Sequence, residues 1–99
     1  MEWGTLMGTI DKTSLIAEVE LLMRDINFQQ PEKESLEWYL RNNLTDYLTE
    51  LKKIESPSDL KISTRILSRF CLESMDWDTP LFKRCTKITE LGLKIAKNS

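Results

Sequence analysis

Three prolines constrain this chain most, because each stands where a helix can begin and helical periodicity follows each one. Pro57 and Pro80 both follow residue types that cap helix N-termini, and Pro31 precedes an acid-rich run. Proline suits the first helical position because its ring fixes φ and its missing N–H would have no partner there. Acidic residues in a first turn also suit the helix dipole. We therefore expect helices to begin at about residues 31, 57 and 80.

Apolar residues recur with the period of an α-helix in four segments, and no alternating strand pattern of useful length appears. The predicted helices cover residues of about 12–28, 31–54, 57–73 and 80–96. The Asn42-Asn43 pair could interrupt the second helix, because Asn competes for backbone hydrogen bonds. The sequence therefore predicts an all-α fold, a small bundle of four helices, or of five if the second helix breaks.

The length and composition of the chain predict one globular domain. It has 99 residues, of which 40% are hydrophobic and 30% are charged, with three Gly and three Pro. A chain of this length can form one hydrophobic core but not two. Residues 1–10 lack the helical period and are predicted to be a flexible lead-in, whereas residues 11–99 are predicted to form a single helical protein-binding domain.

The charge distribution argues against nucleic acid and membrane partners. The net charge is -2, and the basic residues of the last two helices alternate with acidic ones. A nucleic-acid reader concentrates Lys and Arg on one face, so no direct contact with nucleic acid is expected. No run of about 18 apolar residues could span a bilayer, and the N-terminus lacks the pattern of a secretory signal. We expect an intracellular protein that does not bind membranes.

The residues that carry most enzyme chemistry are missing or scattered. The chain has no histidine, its glycines are isolated, and its two cysteines, Cys71 and Cys85, lie too far apart for a metal-binding pair. Neighbouring acids are spaced two residues apart and therefore point to different faces of a helix. We expect no catalytic activity, no cofactor and no metal site, and we expect both thiols to be reduced.

Aromatic residues and arginines are the remaining candidates for function, because they dominate the binding energy of protein interfaces. Trp38 and Tyr39 are adjacent in a predicted helix, about 100° apart, so both cannot face the core. Tyr47 lies on an apolar stripe but needs a partner for its hydroxyl. Trp77 stands between two aspartates in a predicted loop, either folded inward or exposed. With Arg41, these residues form the predicted partner-binding set.

The two halves of the chain resemble the XTB domain family. Residues 19–42 resemble its opening helix, acidic spacer and "FLLRN"-like run, which is here WYLRN, residues 38–42, and Asp46-Tyr47 resembles an acidic–tyrosine pair of some members. The second half is similar at Leu60, at Cys71-Leu72 and at Trp77, which takes the place of an aromatic in the family pattern. The closing Gly92-Leu93-Lys94-Ile95 resembles the family's GIKV ending.

The resemblance implies a non-catalytic domain that binds a nuclear, Xrn-type 5′-to-3′ exoribonuclease and stabilises or localises it. It implies a nuclear protein that is a monomer alone and forms a heterodimer with the nuclease. Tyr47, Arg41 and Trp77 are then expected to contact the nuclease.

Two other interpretations remain open. Residues 63–67 are similar to part of the N-terminal domain of transcription elongation factors, another small helical bundle. That similarity implies binding of disordered, acidic and hydrophobic peptide motifs of transcription factors. The third interpretation is a structural dimer in which Trp38 and Tyr39 meet their symmetry mates.

Overall fold

The computed structural model describes residues 10–98, which form four α-helices and no strand. The helices are α1 (Thr13–Phe28), α2 (Leu36–Lys53), α3 (Pro57–Ser74) and α4 (Pro80–Lys97). The predicted all-α bundle is confirmed, and it has four helices in this range because Asn42-Asn43 does not break α2. The side-chain amide of Asn43 donates to the carbonyl oxygen of Tyr39 one turn earlier, so it finds a partner within the helix.

Hydroxyl caps define the starts of α2, α3 and α4. In each case the cap oxygen accepts the backbone N–H of the third helical residue at 3.2 Å, which satisfies a donor that has no partner in the helix. The three pairs are Ser35 with Trp38, Ser56 with Asp59 and Thr79 with Phe82. Pro57 and Pro80 occupy the first helical position, as the sequence predicts.

The predicted start of α2 at Pro31 is wrong, because that helix begins five residues later at Leu36. The segment between α1 and α2 contains two residues with positive φ, Gln30 at 50° and Glu34 at 68°. A left-handed backbone at Glu34 cannot continue into a right-handed helix. Ser35 then supplies the cap, so the hydroxyl rather than the proline determines where α2 starts.

Each helix packs against two others: α1 against α2 and α4, and α3 against α2 and α4. Consecutive helices run antiparallel, so the end of α1, the start of α2, the end of α3 and the start of α4 lie at the same end of the bundle. Two polar contacts join helix termini there. Arg41 Nη1 donates to Asn27 Oδ1 at 3.3 Å, and Arg84 Nη1 lies 2.9 Å from Asp25 Oδ2.

At the opposite end, the start of α1 meets the end of α2. The Lys12 ammonium donates to the carbonyl oxygens of Leu51 and Ile54. These carbonyls lie where α2 ends and have no acceptor role within the helix, and the negative end of the helix dipole favours a cation there. This contact closes the end of the bundle opposite the one that holds Arg41.

The core consists mainly of leucines that recur at helical spacing on the four inward faces. The fully buried side chains include Leu15, Val19, Leu22, Leu40, Leu44, Leu51, Leu60 and Leu67. Ile10 is also buried, so the packed domain includes the last residue of the predicted lead-in, while residues 1–9 of that segment lie outside the described residues.

Three helices approach closely at Gly92 in the middle of α4. A Cβ atom at this position would lie 2.7 Å from the Tyr47 hydroxyl of α2 and 2.7 Å from Thr64 Oγ1 of α3. Such separations are well inside van der Waals contact, so no residue with a side chain fits without movement of its neighbours. The glycine allows α4 to pack directly on the hydrogen bond between the other two helices.

The two cysteines are free and buried, as predicted for reduced thiols. Cys71 of α3 and Cys85 of α4 lie in hydrogen-bond contact. That hydrogen bond, together with burial, raises the pKa of the Cys85 thiol, which therefore stays protonated at neutral pH. The pair contributes to the packing of α3 on α4.

Candidate functional site

Five aromatic residues lie at the end of the bundle where α1 and α3 finish and α2 and α4 begin. We call this region the aromatic end; its members are Phe28, Trp38, Tyr39, Trp77 and Phe82. Phe28 is 86% exposed, Trp77 is 60% exposed and Tyr39 is 45% exposed. A single exposed apolar residue is ordinary, whereas large aromatic side chains exposed in the same region mark a candidate interaction site.

Trp77 is exposed but held in a defined position. Its indole Nε1 donates to the carbonyl oxygen of Leu72 at 3.0 Å. That carbonyl belongs to the last turn of α3, where carbonyl groups have no partner within the helix. The indole ring also stacks on Phe82, with ring centroids 6.1 Å apart and an interplanar angle of 19°. One face of the indole ring is therefore exposed to solvent, while its N–H is hydrogen-bonded and its other face stacks on Phe82.

Asp76, immediately before Trp77, organises the loop. Asp76 Oδ1 accepts the backbone N–H of Asp78 at 3.2 Å, and its carbonyl oxygen accepts the Thr79 hydroxyl at 2.8 Å. This is the local side-chain-to-backbone bonding that makes Asp a good turn residue. Asp76 therefore stabilises the turn in which the Trp77 side chain points to solvent. Both aspartates, Asp76 and Asp78, are exposed. Of the two alternatives left open by the sequence, the exposed position of Trp77 is the one observed.

Trp38 and Tyr39 form the second aromatic pair. Their rings meet edge to face, with centroids 4.9 Å apart and an interplanar angle of 83°. Trp38 is half-buried and Tyr39 is exposed. This agrees with the expectation that adjacent helical residues cannot both face the core. Arg41, three residues after Trp38, is half-buried, and its bond to Asn27 joins α2 to α1.

The structure corrects the prediction that Tyr47 contacts a partner. Tyr47 is 3% exposed, and its hydroxyl lies 2.6 Å from Thr64 Oγ1 inside the bundle. Its position continues the buried stripe of Leu40, Leu44 and Leu51, so the register of α2 turns the ring inward. Burial raises the pKa of Tyr47 from 10.0 to about 12, and the Thr64 hydrogen bond offsets part of that rise. Tyr47 is a core residue with an internal partner.

Several exposed apolar side chains are not among the predicted site residues. Phe28 follows the buried Ile26 by two positions, which places it about 200° around α1 from the core stripe. Ile62 stands in the same relation to the buried Leu60 of α3. The signal was available in the helical period, since an apolar residue two positions from a core position points outward. The other members of this group are Leu21, Ile66 and Leu72.

Within residues 10–98, no helix is long and apolar enough to cross a membrane. The same part of the chain contains no group of three or more His, Cys, Asp or Glu side chains that could hold a metal ion.

Comparison with protein-family models, with curated proteins and with solved structures finds no match to this chain. The similarity to the XTB family consequently stays a prediction.

Proposed function

We propose that the chain is a non-catalytic protein-interaction domain whose aromatic end docks on a folded partner. The observation that carries the proposal is the gathering of Phe28, Tyr39 and Trp77 at one end of the bundle, each exposed by more than two fifths. Part of each ring is already out of contact with water in the free domain. Burial against a partner would remove the remaining apolar ring surface from water, which favours binding.

Trp77 is the strongest anchor of the three. A tryptophan side chain of about 250 Å² that is 60% exposed has about 150 Å² left to bury, which is worth about 4 kcal/mol before the costs of association. Its hydrogen bond to Leu72 and its stack on Phe82 restrict the ring in the free domain. Restriction before binding lowers the conformational entropy lost on binding, which raises affinity.

The partner we propose is a nuclear, Xrn-type 5′-to-3′ exoribonuclease, which the domain stabilises or localises. Support comes from the placement of the residues that carry the XTB resemblance. Trp38, Tyr39 and Arg41 of the WYLRN run lie at the aromatic end, and Trp77 from the second half of the chain lies at the same end. The domain is proposed to be nuclear, monomeric by itself and heterodimeric with the nuclease.

Titration calorimetry of the full chain against the purified nuclease tests the proposal. We expect Trp77→Ala to weaken binding by about 2 kcal/mol, or about 30-fold, as truncation of an interface hot spot does. Leu21→Ala is the control, because Leu21 is also an exposed apolar residue, 40% exposed, but lies in the middle of α1, away from the aromatic end. The control is expected to bind with unchanged affinity.

Absence of binding by the unmodified chain would contradict the partner. Full-strength binding by both Trp77→Ala and Tyr39→Ala would contradict the site while leaving the partner in place. Sedimentation at micromolar concentration addresses the structural dimer, since a dimer that dissociates on Tyr39→Ala would show that the aromatic end meets a second copy instead.

The second candidate function is supported by a basic groove between α3 and α4. Lys61, Arg65 and Lys97 line it together with apolar groups, and its volume is about 520 Å³. The apolar lining consists of Pro57, Leu93 and Ala96. Cations beside an apolar floor suit the acidic and hydrophobic peptide motifs that the elongation-factor similarity implies. Calorimetry with such a peptide distinguishes this candidate, because Lys61→Gln/Arg65→Gln would abolish its binding and spare the nuclease.

A further inference from the structure

A second surface, separate from the aromatic end, runs between α2 and α3. Two adjoining cavities of about 130 and 400 Å³ share Glu50, Ser63 and Ile66 and so form one continuous depression, which we call the α2–α3 groove. The groove lies between the second half of α2 and the first half of α3, and it reaches Lys53 at the end of α2 and Asp59 in the first turn of α3. It does not include any residue of the aromatic end.

The groove exposes apolar side chains that the fold leaves without cover. Ile62 is 59% exposed and Ile66 is 63% exposed, and they lie one helical turn apart along the wall formed by α3. The buried side chains of Tyr47 and Leu67 lie beneath them and form the floor of the groove, with almost no surface of their own exposed. Two isoleucines spaced by one turn match the spacing of apolar side chains on a partner helix, which packs by inserting its side chains between such ridges.

The charges along the groove have one predominant sign. Asp46 and Glu50 on α2 and Asp59 on α3 line it, against the single cation Lys53 among the described lining residues. None of the three carboxylates forms an ion pair within residues 10–98. Unpaired carboxylates beside an apolar wall create a negative potential that attracts a cationic ligand and opposes an anionic one.

We propose that the α2–α3 groove binds a cationic amphipathic helix of a partner protein. Apolar side chains of that helix at positions i and i+4 pack over Ile62 and Ile66, and flanking Lys or Arg side chains pair with Asp46 and Glu50. Charge complementarity selects this occupant over nucleic acid and over anionic lipid, both of which carry the same sign as the groove. The inference goes beyond the proposed function and does not depend on it.

Fluorescence anisotropy with a designed probe tests the proposal on the full chain. The probe is a fluorescein-labelled peptide of about 15 residues made of leucine, alanine and lysine, a length sufficient for a short helix, with leucines at i and i+4 spacing. One control peptide has glutamate in place of every lysine, and another has the same composition without the helical period. We expect the probe to bind at least about tenfold more tightly than either control, a difference that one well-placed contact can supply.

Paired substitutions on one helix locate the binding surface. Ile62→Ser/Ile66→Ser removes the apolar wall, and Leu72→Ser is the control, because it also removes an exposed apolar side chain from α3 without a change of charge but lies outside the groove. We expect the isoleucine variant to weaken probe binding at least about tenfold and the control to leave it within about twofold. Asp46→Asn/Glu50→Gln should weaken binding and flatten its dependence on salt.

Equal binding of the lysine and glutamate peptides overturns the proposal, as does full-strength binding by the isoleucine variant. A chain that dimerises at micromolar concentration through Ile62 and Ile66 also overturns it, since the groove is then covered by a second copy. Trp77→Ala is expected to leave probe binding unchanged. Failure at the groove and failure at the aromatic end are therefore observed separately.

Discussion

Two aromatic residues with polar groups differ in their exposure: Trp77 at the aromatic end is exposed, and Tyr47 in the interior is buried. Trp77 donates to a helix-terminal carbonyl and leaves one face of its ring to solvent. Tyr47 shares a hydrogen bond with Thr64 and is almost completely buried. Both polar groups are satisfied, so the need for a hydrogen-bond partner does not decide which ring is exposed. The direction in which the backbone projects the side chain decides it.

In a helical domain of this size, the position of an aromatic residue relative to the buried stripe of its helix determines whether its ring is exposed. Within a helix, the register that buries leucines also buries any ring on the same stripe, as it does for Tyr47. Rings remain outside when they stand off the stripe, as Phe28 and Tyr39 do, or when they lie in a loop shaped by a turn, as Trp77 does. Substitutions at the two kinds of position test this difference, because those in the interior should lower the free energy of unfolding and those at the aromatic end should leave it nearly unchanged.

The largest expected effect is the loss of the buried ring. Tyr47→Ala should lower the free energy of unfolding by about 3–5 kcal/mol, because it leaves a cavity and an unpaired Thr64 hydroxyl. Trp77→Ala should change it by less than about 1 kcal/mol, since it removes one exposed stack and one hydrogen bond. Urea unfolding of both variants measures the difference. Similar losses for the two variants would mean that the aromatic end is part of the core.

The next effect appears at alkaline pH. The folded-state pKa of Tyr47 is raised from 10.0 to about 12, so the unfolded chain loses its phenol proton first as the pH rises. The free energy of unfolding is therefore unaffected by this group below pH 10 and falls between pH 10 and 12. The expected fall is about 3 kcal/mol, because each unit of pKa difference corresponds to about 1.4 kcal/mol.

Tyr47→Phe isolates this contribution, because it removes the ionisable hydroxyl and keeps the ring. At neutral pH the variant should be about 1 kcal/mol less stable, owing to the unpaired Thr64 hydroxyl. Its unfolding free energy should then decline less steeply than that of the unmodified chain above pH 10, as followed by urea unfolding at several pH values. Parallel profiles for the two proteins would rule out Tyr47 as the source of the alkaline loss.

The smallest of the three effects concerns the close approach at Gly92. Gly92→Ala should lower the unfolding free energy by about 1–2 kcal/mol, because the new methyl group overlaps the Tyr47 and Thr64 hydroxyls. This loss exceeds the gain of up to about 1 kcal/mol in helix propensity. In a Tyr47→Phe background one of the two overlaps disappears, so thermal unfolding should show a smaller loss. A stabilised Gly92→Ala protein would contradict the three-helix contact.

Much of the fold could be predicted from the sequence because helix starts are local. Pro57 and Pro80 stand beside hydroxyl caps, and the whole signal spans four residues. At Pro31 the prediction fails, because no hydroxyl cap stands directly before the proline. The helix begins instead after the next capping residue, Ser35. The pattern around a proline is informative only when the capping side chain is in the correct position.

Less of the candidate site could be predicted, for a reason that Tyr47 and Trp77 share. The sequence proposed both as partner contacts because both are aromatic and have a polar group. The burial of Tyr47 depends on Thr64, seventeen residues away, and on the absence of a side chain at Gly92. The two walls of the α2–α3 groove likewise come from different helices, so no local pattern reveals it.

The amino-acid sequence alone determined that the chain forms amphipathic helices and where the helices at Pro57 and Pro80 begin, because caps and apolar periods act over a few neighbouring residues. Only the tertiary structure decided which rings face solvent, which carboxylates stay unpaired and which helix faces meet. Those properties depend on contacts between segments far apart in the chain, whose relative positions follow from the packing of all four helices together.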